Sequence, residues 1–147
     1  MIQHVLVAVD GSHHANRAVE FAADMAAKAG ARLTLVHAFH LRELPDELKH
    51  LAEIEHLEGD GGKVHRVVGE RVLDSAKERA QELGIAEPRL VLAQGDPAST
   101  IVETAKKERA DVVVVGSRGL GRLAELLLGS VSYKVVMHAP CTVIVVR

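Results

Sequence analysis

The chain has 147 residues, the length of one ordinary domain with room for a real core. Hydrophobic residues make up 48% of it but aromatics only 2%, so the core must be built from Val, Leu, Ile and Ala, which argues against reading single-stranded nucleic acid by aromatic stacking. A formal net charge of −2 gives no general pull toward DNA, RNA or an anionic membrane, so any nucleotide must be held by local geometry.

A single cysteine, Cys141, excludes an internal disulfide and fits a reducing cytosol. Met1 leads directly into a strand pattern, without a basic-then-apolar leader, and no apolar run approaches membrane-spanning length. The expectation is a cytoplasmic protein with one domain, residues 1–147, and no membrane insertion.

In chain order, residues 2–9 contain the apolar run Val5 to Val9, bounded by Asp10, Gly11 and Ser12, and read as a first strand. Ser12 suits the N-cap of a helix over 13–29, with Gly30 as its stop. Ala18, Phe21, Ala22, Met25, Ala26 and Ala29 recur at three- and four-residue spacing and predict its buried face. A second strand covers 32–39. Pro45 can open a helix carrying Leu48, Leu51, Ile54 and Leu57, and the glycines at 59, 61 and 62 read as a break. The next helix, over 64–83, carries Val67, Val68, Val72, Leu73, Ala76, Ala80 and Leu83 as its stripe, and Gly84 stops it. Residues 89–94 make a third strand. Asp96 as N-cap and Pro97 at the first helical position then start a helix running to about residue 109.

Residues 111–115, with four consecutive valines, predict a strand buried on both faces. A last helix over 129–138 leads through Pro140 into a fifth strand, Thr142–Val146. Strands alternating with helices imply an α/β fold: one doubly wound, Rossmann-like domain whose five-stranded parallel sheet has the order 3-2-1-4-5. Its switch point lies between strands one and four, and ligands in such sheets bind beyond the carboxyl ends of the strands at that crevice. Asp10 and Gly116 end those two strands and should converge there.

Beyond the fourth strand the glycines follow a fixed spacing: Gly116-x-x-Gly119, nine residues, then Gly129-Ser130. Glycines allow close approach of a ligand to the backbone, and exposed amides at a helix start bind anions such as phosphate. This spacing resembles the nucleotide motif of the ATP-binding branch of the universal stress protein family. The start of the chain to Ser12, the strand end at His37-Ala38 and the closing Pro140 to Val146 extend the resemblance over nearly the whole chain, apart from residues 42–62. The resemblance implies ATP as ligand. The main-chain amides of Gly119, Leu120, Gly121 and Arg122 and of Gly129, Ser130 and Val131 would cradle its phosphates, with the Ser130 hydroxyl at the helix start. Gly116 and Ser117 open the loop. Arg118 and Arg122 flank it and either neutralise phosphate or are merely solvated.

Asp10 either caps the turn after the first strand or meets the nucleotide, and beside a triphosphate only a ribose contact or a bridging Mg2+ suits a carboxylate. Ala38 matches the position whose main chain contacts adenine in relatives, and Ala8 stands where relatives often carry proline. Gly119-x-Gly121-x-x-Ala124 also fits the dinucleotide fingerprint, but no acid ends a following strand about twenty residues on, and no Gly-Lys-Ser/Thr suggests a P-loop. The histidines read as scattered, and His37-x-x-His40 as structural rather than metal-binding. No Ser-His-Asp or paired-carboxylate arrangement stands out, so binding is favoured over catalysis. Three functions follow for comparison: an ATP-binding regulatory stress protein, a slow ATPase or an enzyme phosphorylating its own Ser130 or Ser132, and a nucleotide-free interaction module. The Thr142–Val146 strand, flat and without proline or charge, should lie at the sheet edge and pair with a second copy, as in relatives. The segment 41–62 could cover the pocket, form a lid or meet a partner.

Overall fold

A computed structural model describes residues 1–40, 46–54, 61–119 and 128–147. It places along the chain β1 (His4–Ala8), α1 (His13–Ala29), β2 (Arg32–Phe39), α2 (Asp46–Ile54), α3 (Gly61–Glu82), β3 (Arg89–Gln94), α4 (Pro97–Glu108), β4 (Val112–Gly116), α5 (Ser130–His138) and β5 (Thr142–Val146). The strands are all parallel and lie in the order β3-β2-β1-β4-β5, the order expected from the sequence. In register, Val5 pairs with Leu33 on one side and Val112 on the other, and Val112 pairs with Thr142.

The period-two alternation of β1 and β4 sorts their side chains between two apolar layers. Val5, Val7, Val112 and Val114 join one cluster with Ala18, Val19, Ala22 and Ala26 of α1 and Val72, Leu73, Ala76 and Ala80 of α3. Leu6, Val113 and Val115 join the other, with Ala98, Ile101 and Ala105 of α4 and Val135 of α5. Both faces are therefore covered, and the four valines of β4 are at most 3% exposed. Burying each contributes about 1.5 kcal/mol or more, so a charged residue at Val114 would break the sheet's centre.

The helix ends follow their local chemistry. Ser12 Oγ accepts the N–H of Ala15 at 3.1 Å, and Gly30, at φ 63°, closes α1 in the left-handed region that L side chains disfavour. Asp96 accepts the Ser99 N–H at 3.0 Å with Pro97 behind it, and Arg109 ends α4 at φ 52°, an uncommon conformation for a residue with a Cβ.

Three local expectations are corrected. The face of α1 is set by Ala15, Ala18, Val19, Ala22, Ala23 and Ala26, whereas Phe21 is 44% exposed and Ala29 lies exposed in the last turn. Gly61 and Gly62 do not break the chain but form the first turn of α3, because a glycine costs a helix only about 1 kcal/mol. Buried His65 and Gly69 also join the inner face of α3. A Cβ on Gly69 would stand 2.6 Å from Leu92 Cδ1 and 2.9 Å from His37 Cδ2, so the missing side chain lets α3 settle onto β2 and β3. Leu57 and Gly59 lie outside the described residues.

Candidate functional site

The carboxyl ends of β1, β2 and β4 open into a cleft of about 740 Å³. Asp10 follows β1, Ala38 belongs to β2 and Gly116 ends β4, so the topology alone brings these distant positions to one place. Ala8, Arg118, Gly119, Gly129, Ser130 and Val131 line the same cleft. Leu120, Gly121 and Arg122 lie outside the described residues.

The two ends of the glycine loop meet here. The Gly129 N–H donates to the Ser117 carbonyl at 2.7 Å, and a Cβ on Gly129 would lie 3.6 Å from the Gly119 nitrogen. This bond changes the inventory of donors, because the Gly129 amide is already engaged. Gly129 is the N-cap of α5, and its carbonyl accepts the first helical bond, from the Tyr133 N–H at 2.9 Å. The amides of Ser130, Val131 and Ser132 fall in a first turn that has no intrahelical acceptors for them. They sit at the positive end of the helix dipole, where an anion is favoured.

Each glycine has its own reason. A Cβ on Gly119 would come within 2.6 Å of Asp10 Oδ2, so only a bare backbone lets the loop lie against that carboxylate. Asp10 Oδ1 meanwhile accepts the Ser12 N–H at 2.9 Å, which orients the carboxylate from its own turn. At Gly116 the close neighbour is protein, not open space: a Cβ there would sit 2.8 Å from His14 C and Cβ. Gly116 thus seats the start of α1 on the end of β4.

Ser117 does not face the cleft. It is buried, its N–H donates to the Val146 carbonyl at 2.7 Å, and its hydroxyl lies 3.2 Å from His14 Nδ1. Ser132, named above beside Ser130 as a candidate for self-phosphorylation, is also committed, donating to the Gly116 carbonyl at 2.6 Å. These bonds fasten the loop at both ends.

The histidines are the main surprise. Among the described residues, five histidines (His13, His14, His37, His40 and His65) line this one cleft instead of lying scattered. His37 is 4% exposed and donates from Nδ1 to the Val9 carbonyl at 2.8 Å. Burial holds its pKa below the usual imidazole value, against the opposing pull of the Val9 bond and the Asp10 charge, so it stays neutral. His65 stacks on Phe39 with ring centroids 6.2 Å apart. No group of three or more His, Cys, Asp or Glu able to hold a metal ion occurs among the described residues. The roof is α2, whose Glu47 and Leu48 line the cleft; Leu48 Cδ2 would lie 3.4 Å from a Cβ at Gly11, which adopts φ 85°.

A model of the universal stress protein family matches residues 1–147. The chain belongs to the universal stress protein family. A family protein of Thermus aquaticus, described as the universal stress protein in the QAH/OAS sulfhydrylase 3′ region, is 40% identical over the full length of both chains. Among solved structures, the universal stress protein UspA from Lactobacillus plantarum superposes with a TM-score of 0.80 at 25% identity, covering 99% of this chain and 98% of that one. A universal stress protein solved in complex with cAMP superposes with a TM-score of 0.71 at 29% identity, covering 99% and 97%. The doubly wound sheet is therefore the architecture of this family.

Proposed function

We propose that the cleft binds ATP and that the protein acts in the cytoplasm as a nucleotide-dependent regulator of a stress response. The observation that carries this reading is the meeting of Gly119, Gly129 and the amino terminus of α5 in one cleft at the sheet's switch point. A main-chain cradle of this kind suits phosphate, and the cAMP complex of a family member supports a nucleotide as ligand. The amides of Gly119, Ser130 and Val131, with those of Leu120, Gly121 and Arg122, hold the phosphates in this reading. The Ser130 hydroxyl and Arg118 add further contacts. Asp10 takes the ribose or a Mg2+ ion that offsets phosphate charge, and the main chain at Ala38 takes the adenine against a wall that includes Ala8. Ser117 serves by position, fastening the loop, rather than as a ligand. Titration of purified protein with ATP and Mg2+ tests the assignment: saturable binding below millimolar ATP is expected, and a folded protein that fails to bind at millimolar ATP rejects it.

We further propose a homodimer through β5. This strand has β4 on one side only, and Val145 at 36% exposure contributes apolar surface there. An unpaired Val/Ile edge is a template for a second strand. Sedimentation at micromolar protein should give a dimer, and Val145→Lys should shift it toward monomer.

A further inference from the structure

The cleft is lined by charged side chains of both signs. Among the described residues, two carboxylates face it, Asp10 after β1 and Glu47 of α2, against one guanidinium, Arg118 beyond β4. The imidazoles are the other groups there that can carry charge. His37 of β2 is buried on the Val9 carbonyl, and His65 of α3 is buried against Phe39. Three remain. His13 is exposed at the start of α1; His14 follows it, part-exposed, with Nδ1 at Ser117 Oγ; His40 lies beyond the end of β2, its Nε2 3.9 Å from Asp96 Oδ1, with Lys134 of α5 also near that carboxylate.

We propose that a phosphate-bearing nucleotide enters this cleft together with protons, taken up on His13, His14 and His40, so that binding tightens as the pH falls. This rests on the nucleotide reading above. Imidazole is the side chain whose charge changes near neutrality, and a phosphate group beside it favours the protonated form. Linkage makes the effect measurable: affinity rises about tenfold per pH unit for each proton taken up. The bond between His14 and Ser117 survives the change, because a neutral Nδ1 accepts from the hydroxyl and a protonated one donates to it. The charge therefore changes without releasing the loop.

The test is calorimetric titration of the full chain with Mg·ATP at about pH 7, in two buffers of different ionisation enthalpy, beside a His13→Gln, His14→Asn, His40→Gln variant. Asparagine keeps an acceptor for Ser117, and the three single variants serve if the combined one melts early. The ligand's own ionisation is common to both proteins and cancels. The expected result is greater proton uptake by the unsubstituted protein, with ATP affinities that diverge from about pH 8 to about pH 6. Adenosine, lacking phosphate, is expected to bind without that excess uptake. Equal uptake by both proteins, or the same excess with adenosine, overturns this inference and leaves nucleotide binding intact. Absence of ATP binding at both pH values overturns both.

Discussion

The two ends of the sheet are built from the same parallel ladders but handle polar groups in opposite ways. At the amino end, beside a hollow of about 450 Å³, the fastening bonds each involve a polar side chain. His4, 2% exposed, donates from Nδ1 to the Glu108 carbonyl at 3.0 Å and accepts the Thr34 hydroxyl at 2.8 Å on Nε2. Asp111 accepts the N–H groups of Gln3 and His4 at 2.8 and 3.0 Å, and Arg89 reaches Glu108 at 3.0 Å. At the carboxyl end the fastening runs largely through backbone, between Ser117 and Gly129 and between Ser117 and Val146, and glycines keep side chains out of the gap. The first end is closed by its own partners. The second keeps donors facing open space, the condition for holding a ligand.

That contrast can be broken by a pair of substitutions. His4→Ala should destabilise the fold by about 2–4 kcal/mol, through a buried cavity and a stranded Thr34 hydroxyl, while leaving ATP affinity of the folded protein unchanged. Gly119→Val should do the reverse, lowering ATP affinity about a hundredfold or more, roughly 2.7 kcal/mol, with a denaturation midpoint close to that of the parent. If the two changes have interchangeable effects, the division of labour between the ends is wrong.

A smaller effect is expected at the wall of the cleft. Gly69→Ala would gain about 1 kcal/mol in an open helix, but contact with His37 and Leu92 should reverse the sign and leave a net loss of about 1 kcal/mol. Denaturant unfolding reads it directly.

Acid should separate the ends again. The Gln3 and then the His4 N–H hold the Asp111 carboxyl below its usual range. Its contribution is therefore complete above about pH 4 and is lost as the pH falls through the lowered folded value. His37 is also lowered on folding, but as a base. The unfolded chain then takes up its proton first, so stability falls below about pH 6.5. Unfolding midpoints across this range should show two acid-side losses, the milder-pH one absent in His37→Gln and the lower one in Asp111→Asn. The least effect is expected far from both ends, where Phe21→Ser should change stability by no more than about 0.5 kcal/mol.

The parts of the fold legible in the sequence are those fixed by short-range chemistry. Ser12 and Gly30 mark α1 from His13 to Ala29, Asp96-Pro97 opens α4, and the valine run at 112–115 gives a strand buried on both faces. Strand order then follows from handedness, and the cleft's place from strand order. Phe21 is apolar but lies off the buried face, because the direction of its Cα–Cβ bond on the helix, not its apolar character, decides burial. The glycine spacing located the loop, but not which amides are already engaged, since the bond from Gly129 to Ser117 closes only in three dimensions. The histidine cluster was illegible for the same reason: positions 13, 14, 37, 40 and 65 share no motif and meet only because β1 and β2 end, and α1 and α3 begin, over one switch point.

Ser117 has one further consequence. Its nitrogen is tied to the last strand and its carbonyl to the cap of α5, so one peptide unit at each side links the outer edge of the sheet to the mouth of the cleft. A grip on that edge and an anion seated at the helix start would each act on this residue. Thermodynamic reciprocity then makes the influence mutual: filling the cleft should alter self-association by the same factor that self-association alters occupancy.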